Sequence, residues 1–294
     1  MTLKKKTDLH RILDYRVLAE IGRGAASIIY AVSDAKNQLY ALKHVILKGS
    51  KDDRFLEQAE NEEKISAKLD HPNLRKIHKM HKIRPGWQRT EVVVVMEMLD
   101  SDALTDIELP DIGTKLNIFR QVAEGLAHMN DRGFVHADMK PTNVLVDEEM
   151  RAKIIDLGQA CKIGTVKERI QGTPGYMAPE QANRKEITEK TDVYNFGATM
   201  YWLLTRQEVA TARPDRQVED DGGGFSIGGG GSSTAKLPTP PHAFDERIPT
   251  ELSDVVLRCL QPNPAARYED MHTVVRKLTD IIDSWDDSAS MKAG

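Results

Sequence analysis

The chain divides near residue 99 into two units with different hydrophobic patterns. From Tyr15 to about Ile83, short segments rich in β-branched residues, such as SIIYAV and QLYALKHVIL, predict strands. The charged stretch DDRFLEQAENEEKISAKL predicts a helix, and the apolar run TEVVVVMEML predicts a fully buried strand. We therefore predict an N-terminal segment over residues 1–14 and a small, mainly β unit over residues 15–99.

The second unit, residues 100–283, has mainly helical periodicity. Its first helical segment is expected to end at Gly133, because glycine is favoured just after a helix. The segments with this periodicity are IGTKLNIFRQVAEGLAHMNDRG, TDVYNFGATMYWLLT, TELSDVVLRCL and EDMHTVVRKLTDIIDSW. A β-rich unit followed by an α-rich unit predicts the α+β class, with residues 284–294 as a C-terminal tail. A chain of 294 residues is also long enough for two lobes with a cleft between them.

A stretch rich in glycine, serine and proline interrupts the second unit. The sequence EDDGGGFSIGGGGSSTAKLPTPP, between Thr205 and Pro249, contains few residues that could enter a core. The helical patterns on both sides of it remain clear. We therefore predict a flexible insertion over residues 211–243.

Charge and composition argue against several classes of protein. The 41 lysines and arginines are balanced by 45 acidic residues, which predicts neither a nucleic-acid partner nor an anionic membrane partner. No run approaches the roughly 20 apolar residues of a membrane-spanning helix, so no membrane segment is predicted. The two cysteines, Cys161 and Cys259, match neither a disulfide framework nor a metal-ligand pattern. A cytoplasmic location is the expectation.

A glycine-rich fragment near the N-terminus has the residues of a phosphate-binding loop. GRGAAS, from Gly22 to Ser27, is close to the pattern G-x-G-x-x-G, with serine at the third glycine position. A dinucleotide-binding fold would need a helix directly after it, whereas IIYAV predicts a strand. The context favours a hairpin lid in which backbone N–H groups approach phosphate oxygens. On this fragment alone, an ordinary β-turn is an equally good interpretation.

A lysine on the following strand is the next candidate. Strand alternation places Ala41 and Lys43 on the same face, which can cover a nucleotide. A lone lysine in a strand is usually a solvated charge, so a functional role depends on a carboxylate nearby. Glu62, in the predicted helix nine residues before His71, is the candidate partner.

The segment FVHADMKPTNVLVD, residues 134–147, resembles the catalytic loop of protein kinases. That family has the pattern H-R-D with a lysine and an asparagine following, and here it reads His136, Ala137, Asp138, Lys140 and Asn143. An aspartate can accept the proton of a substrate hydroxyl, and a lysine can offset charge on the transferring phosphoryl group. The alternative is a loop whose polar side chains only make turn hydrogen bonds, which explains each residue singly but not their spacing.

Further motifs extend the resemblance from about Tyr15 to Ile282. IIDLG resembles the family's D-F-G motif with leucine for phenylalanine, which implies that Asp156 binds Mg²⁺ together with Asn143. GTPGYMAPE resembles the end of a kinase activation segment, and DVYNFG and PAARY resemble landmarks of the helical lobe. In the family the glutamate of A-P-E pairs with an arginine, here Glu180 and Arg267, in a structural role. Taken together, these motifs resemble those of bacterial kinases of the eukaryotic type (Hanks-type).

The resemblance implies a bilobal kinase fold and transfer of the γ-phosphoryl group of ATP to protein substrates. DMKPTN and the Gly-Thr of GTPGY resemble the serine/threonine branch, so Ser and Thr are the expected acceptors, including those of the chain itself. The implied catalytic residues are Asp138, Lys140, Lys43 and Glu62, and the implied cofactors are ATP and Mg²⁺. The implied ATP-binding residues are Ile21, Gly22, Arg23, Gly24, Ala25, Ala26, Ser27, Ile29, Ala41, Lys43, Met96, Glu97, Met98, Leu99 and Leu145, with Met96 as gatekeeper and 97–99 as hinge.

Two departures from the family pattern change the expected regulation. Ala137 stands where the family usually has an arginine that binds a phosphate on the activation loop. We therefore predict a kinase that does not depend on activation-loop phosphorylation. Ser66 replaces a bulky apolar residue beneath the cleft, and the Gly-rich insertion lies where the family has a docking helix. The competing interpretations are a weakly catalytic nucleotide-binding scaffold and a small-molecule phosphotransferase of related fold.

Overall fold

The N-terminal unit is an antiparallel sheet with one helix packed against it. In a computed structural model that describes residues 11–24, 26–47, 53–83, 91–210 and 237–293, six strands are ordered β1-β2-β3-β4-β6-β5. They are β1 (Arg11–Ile12), β2 (Tyr15–Arg23), β3 (Ser27–Ser33), β4 (Leu39–Ile46), β5 (Ile77–Ile83) and β6 (Glu91–Glu97). Helix α1 (Asp53–Ser66) lies between β4 and β5 in the chain. The run of valines in β6 is fully buried, as its continuous apolar sequence predicts.

The C-terminal unit is mainly helical. Its helices are α2 (Ile112–Asp131), α3 (Pro179–Ala182), α4 (Glu189–Thr205), α5 (Thr250–Cys259) and α6 (Met271–Ala293). Short strands between them are β7 (Asp102–Ala103), β8 (Phe134–Val135), β9 (Val144–Val146), β10 (Ala152–Ile154), β11 (Cys161–Lys162), β12 (Thr165–Val166) and β13 (Glu186–Ile187). Residues 284–293, predicted as part of a tail, continue α6. None of the helices in the described part of the chain is both long and apolar enough to span a membrane.

Helix α4 forms the centre of the helical unit. Most of its residues are buried, and Phe196 meets Phe119 of α2 edge to face with ring centroids 6.2 Å apart. Gly197 faces Cys259 of α5 so closely that an added Cβ would lie 2.5 Å from the cysteine Cβ. Glycine is therefore required there for two helices to pack at this distance, and the helix supplies a rigid base for the loops above it.

The segment that follows α1 connects the two units. Leu74 pairs with Ile154 in an isolated parallel bridge, and Ile154 N donates to Asn73 O at 2.8 Å. The Asn73 side chain donates to Ala152 O at 2.7 Å. Strand β10, which leads directly to Asp156, is thereby attached to the segment that runs from α1 into β5.

The predicted α+β, bilobal architecture is confirmed. The β-rich and α-rich halves follow the two hydrophobic periods of the sequence, because period 2 and period 3.6 place apolar residues on one face only in the matching element. Of the predicted insertion 211–243, residues 211–236 lie outside the described part of the chain. Residues 237–243 are described, and Pro241–Ala243 form a short 3₁₀ turn before α5.

Candidate active site

A cleft of about 590 Å³ lies between the N-terminal sheet and the helical unit. Its roof is the β2–β3 hairpin and β4, and its floor is the loop after β8 together with the start of the segment after β10. The predicted site residues that line it are Gly22, Arg23, Gly24, Ala26, Ser27, Ile29, Lys43, Glu62, Met96, Lys140, Asn143 and Asp156. Ala25 lies outside the described residues.

Lys43 and Glu62 form an ion pair at the back of this cleft. The Lys43 ammonium lies 3.1 Å from Glu62 Oε2 and 3.8 Å from Asp156 Oδ1. Burial alone would lower the pKa of Lys43, but the Glu62 and Asp156 carboxylates outweigh it and raise the pKa above its usual range. Lys43 of β4 is therefore held in its charged form between Glu62 of α1 and Asp156, which follows β10.

Asp138, Lys140 and Thr173 form a compact polar cluster next to the cleft, which Lys140 lines but Asp138 and Thr173 do not. The Thr173 hydroxyl donates to Asp138 Oδ1 at 2.9 Å, and Lys140 Nζ lies 3.1 Å from Asp138 Oδ2. Lys140 Nζ also donates to Thr173 Oγ1 at 2.8 Å. Both oxygens of the carboxylate are thus oriented, and a cation is held beside it. Thr173 was not among the predicted catalytic residues, although its Gly-Thr context was the signal for the serine/threonine branch.

Asn143 and Asp156 offer oxygen atoms toward the same cleft. The Asn143 amide nitrogen donates to Asp138 O at 2.8 Å, which leaves its side-chain oxygen as the group available to a ligand. Asp156 has a left-handed backbone with φ 63°, and half of its side chain is exposed. Burial would raise the pKa of Asp156, but Lys43 and the Gly158 N–H lower it, so the carboxylate stays ionised.

These two oxygen donors suit Mg²⁺ bound jointly with a phosphate. Among the described residues, no group of three or more His, Cys, Asp or Glu side chains is placed to hold a metal ion. Mg²⁺ commonly uses only one or two carboxylates together with substrate phosphates and water. The residues present therefore fit that ion as part of a nucleotide complex.

Asp192 in α4 holds the loop that carries Asp138. Its carboxylate accepts from His136 N at 2.9 Å, Ala137 N at 3.0 Å and the Asn130 side chain at 3.0 Å. The side chain is fully buried, and burial raises its pKa despite these hydrogen bonds. The DVYNFG motif is a landmark of the helical lobe, but it does not by itself predict this role for Asp192, because Ala137 and Asp192 are 55 residues apart in the chain.

The predicted base-binding residues are only partly brought together. Ile29 and Met96 line the cleft, whereas Ala41 of β4 does not line it and is buried in a cluster with Val45 and Met96. Leu145 and the hinge residues 97–99 line an adjoining cavity of about 820 Å³ beside the hinge. Ile21 is 47% exposed on β2.

The activation segment, residues 156–180, is attached to the loop mainly by uncharged contacts. Strand β11 pairs with β8, and β12 pairs with β13. Ala137 has a left-handed backbone with φ 61° and is buried with Val135, Ile187 and Cys161. The Gln181 amide, in α3, donates to Ala137 O at 2.7 Å and, more weakly, to Gln171 O at 3.4 Å.

Comparison with known proteins gives one consistent family. The family profile described as protein kinase domain matches residues 15–278. A probable serine/threonine-protein kinase of Clostridium acetobutylicum is 25% identical over 276 residues, which cover 91% of this chain and 40% of that protein. The serine/threonine-protein kinase PrkC of Bacillus subtilis is 26% identical over 271 residues, covering 87% of this chain and 38% of that protein.

A plant relative shows the same relation over a shorter span. A probable LRR receptor-like serine/threonine-protein kinase of Arabidopsis thaliana is 31% identical over 219 residues, covering 68% of this chain and 21% of that protein. The chain thus spans between 21% and 40% of the length of these three relatives.

Proposed function

The chain belongs to the protein kinase domain family, and from that premise we propose that it is a serine/threonine protein kinase that uses ATP and Mg²⁺. The single observation that carries the proposal is the cluster of Asp138, Lys140 and Thr173. The Thr173 hydroxyl and Lys140 Nζ lie 2.9 and 3.1 Å from the two oxygens of the Asp138 carboxylate. A hydroxyl and a cation are therefore held beside the position where an acceptor hydroxyl would enter.

In the proposed mechanism, Asp138 orients the substrate hydroxyl and accepts its proton as the oxygen attacks the γ-phosphorus, whose bond to the β,γ-bridging oxygen breaks so that ADP leaves. Lys140 holds positive charge next to the group in transfer, and the Thr173 hydroxyl keeps the carboxylate turned toward the cleft. Lys43, which Glu62 holds at 3.1 Å, would bind phosphate oxygens of the nucleotide. Asn143 and Asp156 would hold the metal ion. When bound, Mg²⁺ would offset the negative charge on the phosphate oxygens.

Transfer of labelled γ-phosphate tests this function directly. We expect Mg-ATP to label a generic basic protein, and the chain itself, on serine and threonine but not on tyrosine, as read by phosphoamino-acid analysis. Nucleotide binding without transfer to any protein would favour the scaffold. Transfer to an aminoglycoside but to no protein would favour the small-molecule phosphotransferase. Protein substrates, self-phosphorylation and a cytoplasmic location stay predictions.

We further propose that activity does not depend on phosphorylation of the activation segment. The position that would bind a loop phosphate is Ala137, which is packed in an apolar cluster with Cys161 and Ile187. Ala137 supplies no cation at that position, so a dianionic phosphate would lack the partner that the family's arginine provides. The β12–β13 pairing and the Gln181 amide supply the ordering that a phosphate would otherwise supply.

The two threonines between Gly158 and Glu180 make this testable. Thr165, half-buried at the start of β12, donates from Oγ1 to Lys162 O at 2.7 Å and makes no contact with Asp138 among the described residues. Thr165→Ala is therefore expected to keep the rate of transfer within about twofold of the parent, as for an ordinary surface substitution. Thr173→Ala, which removes the contact to Asp138, is expected to lower it strongly. Loss of activity in Thr165→Ala, with a phosphatase-treated parent equally inactive, would contradict the proposal.

A further inference from the structure

Arg75 is a charged side chain in the wall of the nucleotide cleft that the proposed mechanism does not use. It follows Leu74 in the segment that joins the two units, and its backbone N–H donates to Ile154 O at 3.0 Å. Its side chain lines both the nucleotide cleft and a cavity of about 280 Å³ behind it. The guanidinium therefore stands in the partition between the two spaces, at a fixed point of the backbone.

The contacts of this guanidinium are incomplete. Its Nε donates to the Glu97 carbonyl at 3.2 Å. Within the described ranges, no carboxylate lies within 4.0 Å of it, and Glu97 O is the one hydrogen-bond acceptor that it reaches. Burial lowers the pKa of Arg75, while Glu62, Glu97 and Asp156 act in the opposite direction from greater distance. The N–H groups of the two terminal nitrogens thus remain available to an acceptor that enters the cleft.

The location of Arg75 points to the base of the nucleotide. Glu97 is the first residue of the predicted hinge and directly follows Met96, which lines the cleft beside Arg75. An adenine bound to the hinge would direct its 6-amino group, a donor, toward a backbone carbonyl. Here the Glu97 carbonyl already accepts from Arg75, and further N–H donors stand next to it. The 6-amino group of adenine could reach only the second lone pair of that carbonyl, and beside it would face N–H donors that cannot accept its hydrogens.

A purine with an oxygen at position 6 would meet the same surface as an acceptor. Guanine presents O6 and N7 side by side, and an arginine that donates to both is the commonest specific contact made to that base. Hypoxanthine carries the same two acceptors without the 2-amino group.

We propose that Arg75 is a specificity-determining residue that makes this chain accept 6-oxopurine triphosphates, GTP and ITP, at least as well as ATP. This inference rests on the proposed function only in placing the base of the donor beside Met96 and Glu97.

Equilibrium binding tests the inference without requiring turnover. Dissociation constants for Mg-GTP, Mg-ITP and Mg-ATP would be measured by displacement of a fluorescent nucleotide from the parent chain and from Arg75→Val and Arg75→Met. We expect each substitution to weaken the binding of GTP and ITP, relative to the binding of ATP, by roughly tenfold to a hundredfold. Lys76→Met is the matched control, because the Lys76 side chain is 63% exposed and, among the described residues, its one ion pair is with Asp70 at 3.9 Å.

The ratio of affinities decides the outcome. The assignment is overturned if the parent binds GTP and ITP much more weakly than ATP, or if the GTP-to-ATP ratio of affinities is the same in the parent, both Arg75 variants and the Lys76 control. If the ratio falls in both Arg75 variants and not in the control, it is supported, and ITP behaving like GTP identifies O6 as the group recognised. Transfer from each nucleotide is measured in parallel. A chain that shows the Arg75-dependent ratio but transfers no phosphate would refute the proposed kinase activity and leave the assignment of Arg75 in place.

Discussion

Asp138→Asn is expected to lower kcat for phosphoryl transfer by roughly a hundredfold to ten-thousandfold, the usual contribution of a general base. Asparagine keeps the shape of the side chain and can still accept from Thr173, but it cannot accept the proton of the acceptor hydroxyl. The affinity for Mg-ATP is expected to change little, because Lys43 and Glu62 remain in place. Initial rates of γ-phosphate transfer, with nucleotide binding measured separately, check both parts.

A matched control separates chemistry from folding. Asp280→Asn makes the same change on α6, where the carboxylate is 69% exposed and lies 3.8 Å from Lys277. It should leave kcat unchanged. Both variants should unfold at the temperature of the parent. An Asp138→Asn chain that is folded and retains a rate close to the parent would remove Asp138 from the role of base.

Arg267→Met is expected to destabilise the helical unit by about 3–5 kcal/mol, the typical cost of removing one partner of a buried ion pair. The Arg267 guanidinium contacts Glu180 at 2.6 and 2.8 Å, and the two side chains are 0% and 6% exposed. Arg267 also lies over the Tyr194 ring at 4.9 Å and donates to carbonyls of residues 190, 261 and 262. Removing it leaves a buried carboxylate whose remaining contact is the Thr191 hydroxyl at 3.0 Å.

Denaturant unfolding of four chains measures this effect. The parent, Arg267→Met, Glu180→Gln and the double variant form a cycle, and the double variant should lose less free energy of unfolding than the sum of the singles. Arg120→Met is the control, because Arg120 forms a half-exposed pair with Glu124 at 3.2 Å and should contribute at most about 1 kcal/mol. Additive losses in the cycle would mean that the two side chains act independently.

The family and the general architecture followed from the sequence alone, and both are confirmed. The hydrophobic periods identify the β-rich and α-rich units because each period suits one kind of element. Asp138, Lys140 and Asn143 lie within six residues of one another, so their relative placement depends mostly on one short loop. Local sequence therefore carries most of the information about that part of the site.

Other features depended on contacts between distant parts of the chain. The helical continuation through residues 284–293 and the split of the base-binding residues between two cavities were not predicted. Nor were the contacts of Thr173 with Asp138 and of Asp192 with the loop, which join residues 35 and 55 positions apart. Threonine and aspartate are common, and nothing in their neighbouring residues specifies which distant group they will meet.

Arg75 shows the same division most clearly. Its sequence context, HPNLRK, indicates only a charged residue at the start of a strand, where a solvated side chain is the usual outcome. The sequence by itself thus determined the family, the two-unit fold and the candidate chemistry on the catalytic loop. Only the tertiary structure placed Arg75 in the wall of the cleft and its Nε at the Glu97 carbonyl. The physical reason is that a hydrogen bond between two segments forms only where packing brings them together, and no short stretch of sequence encodes that packing.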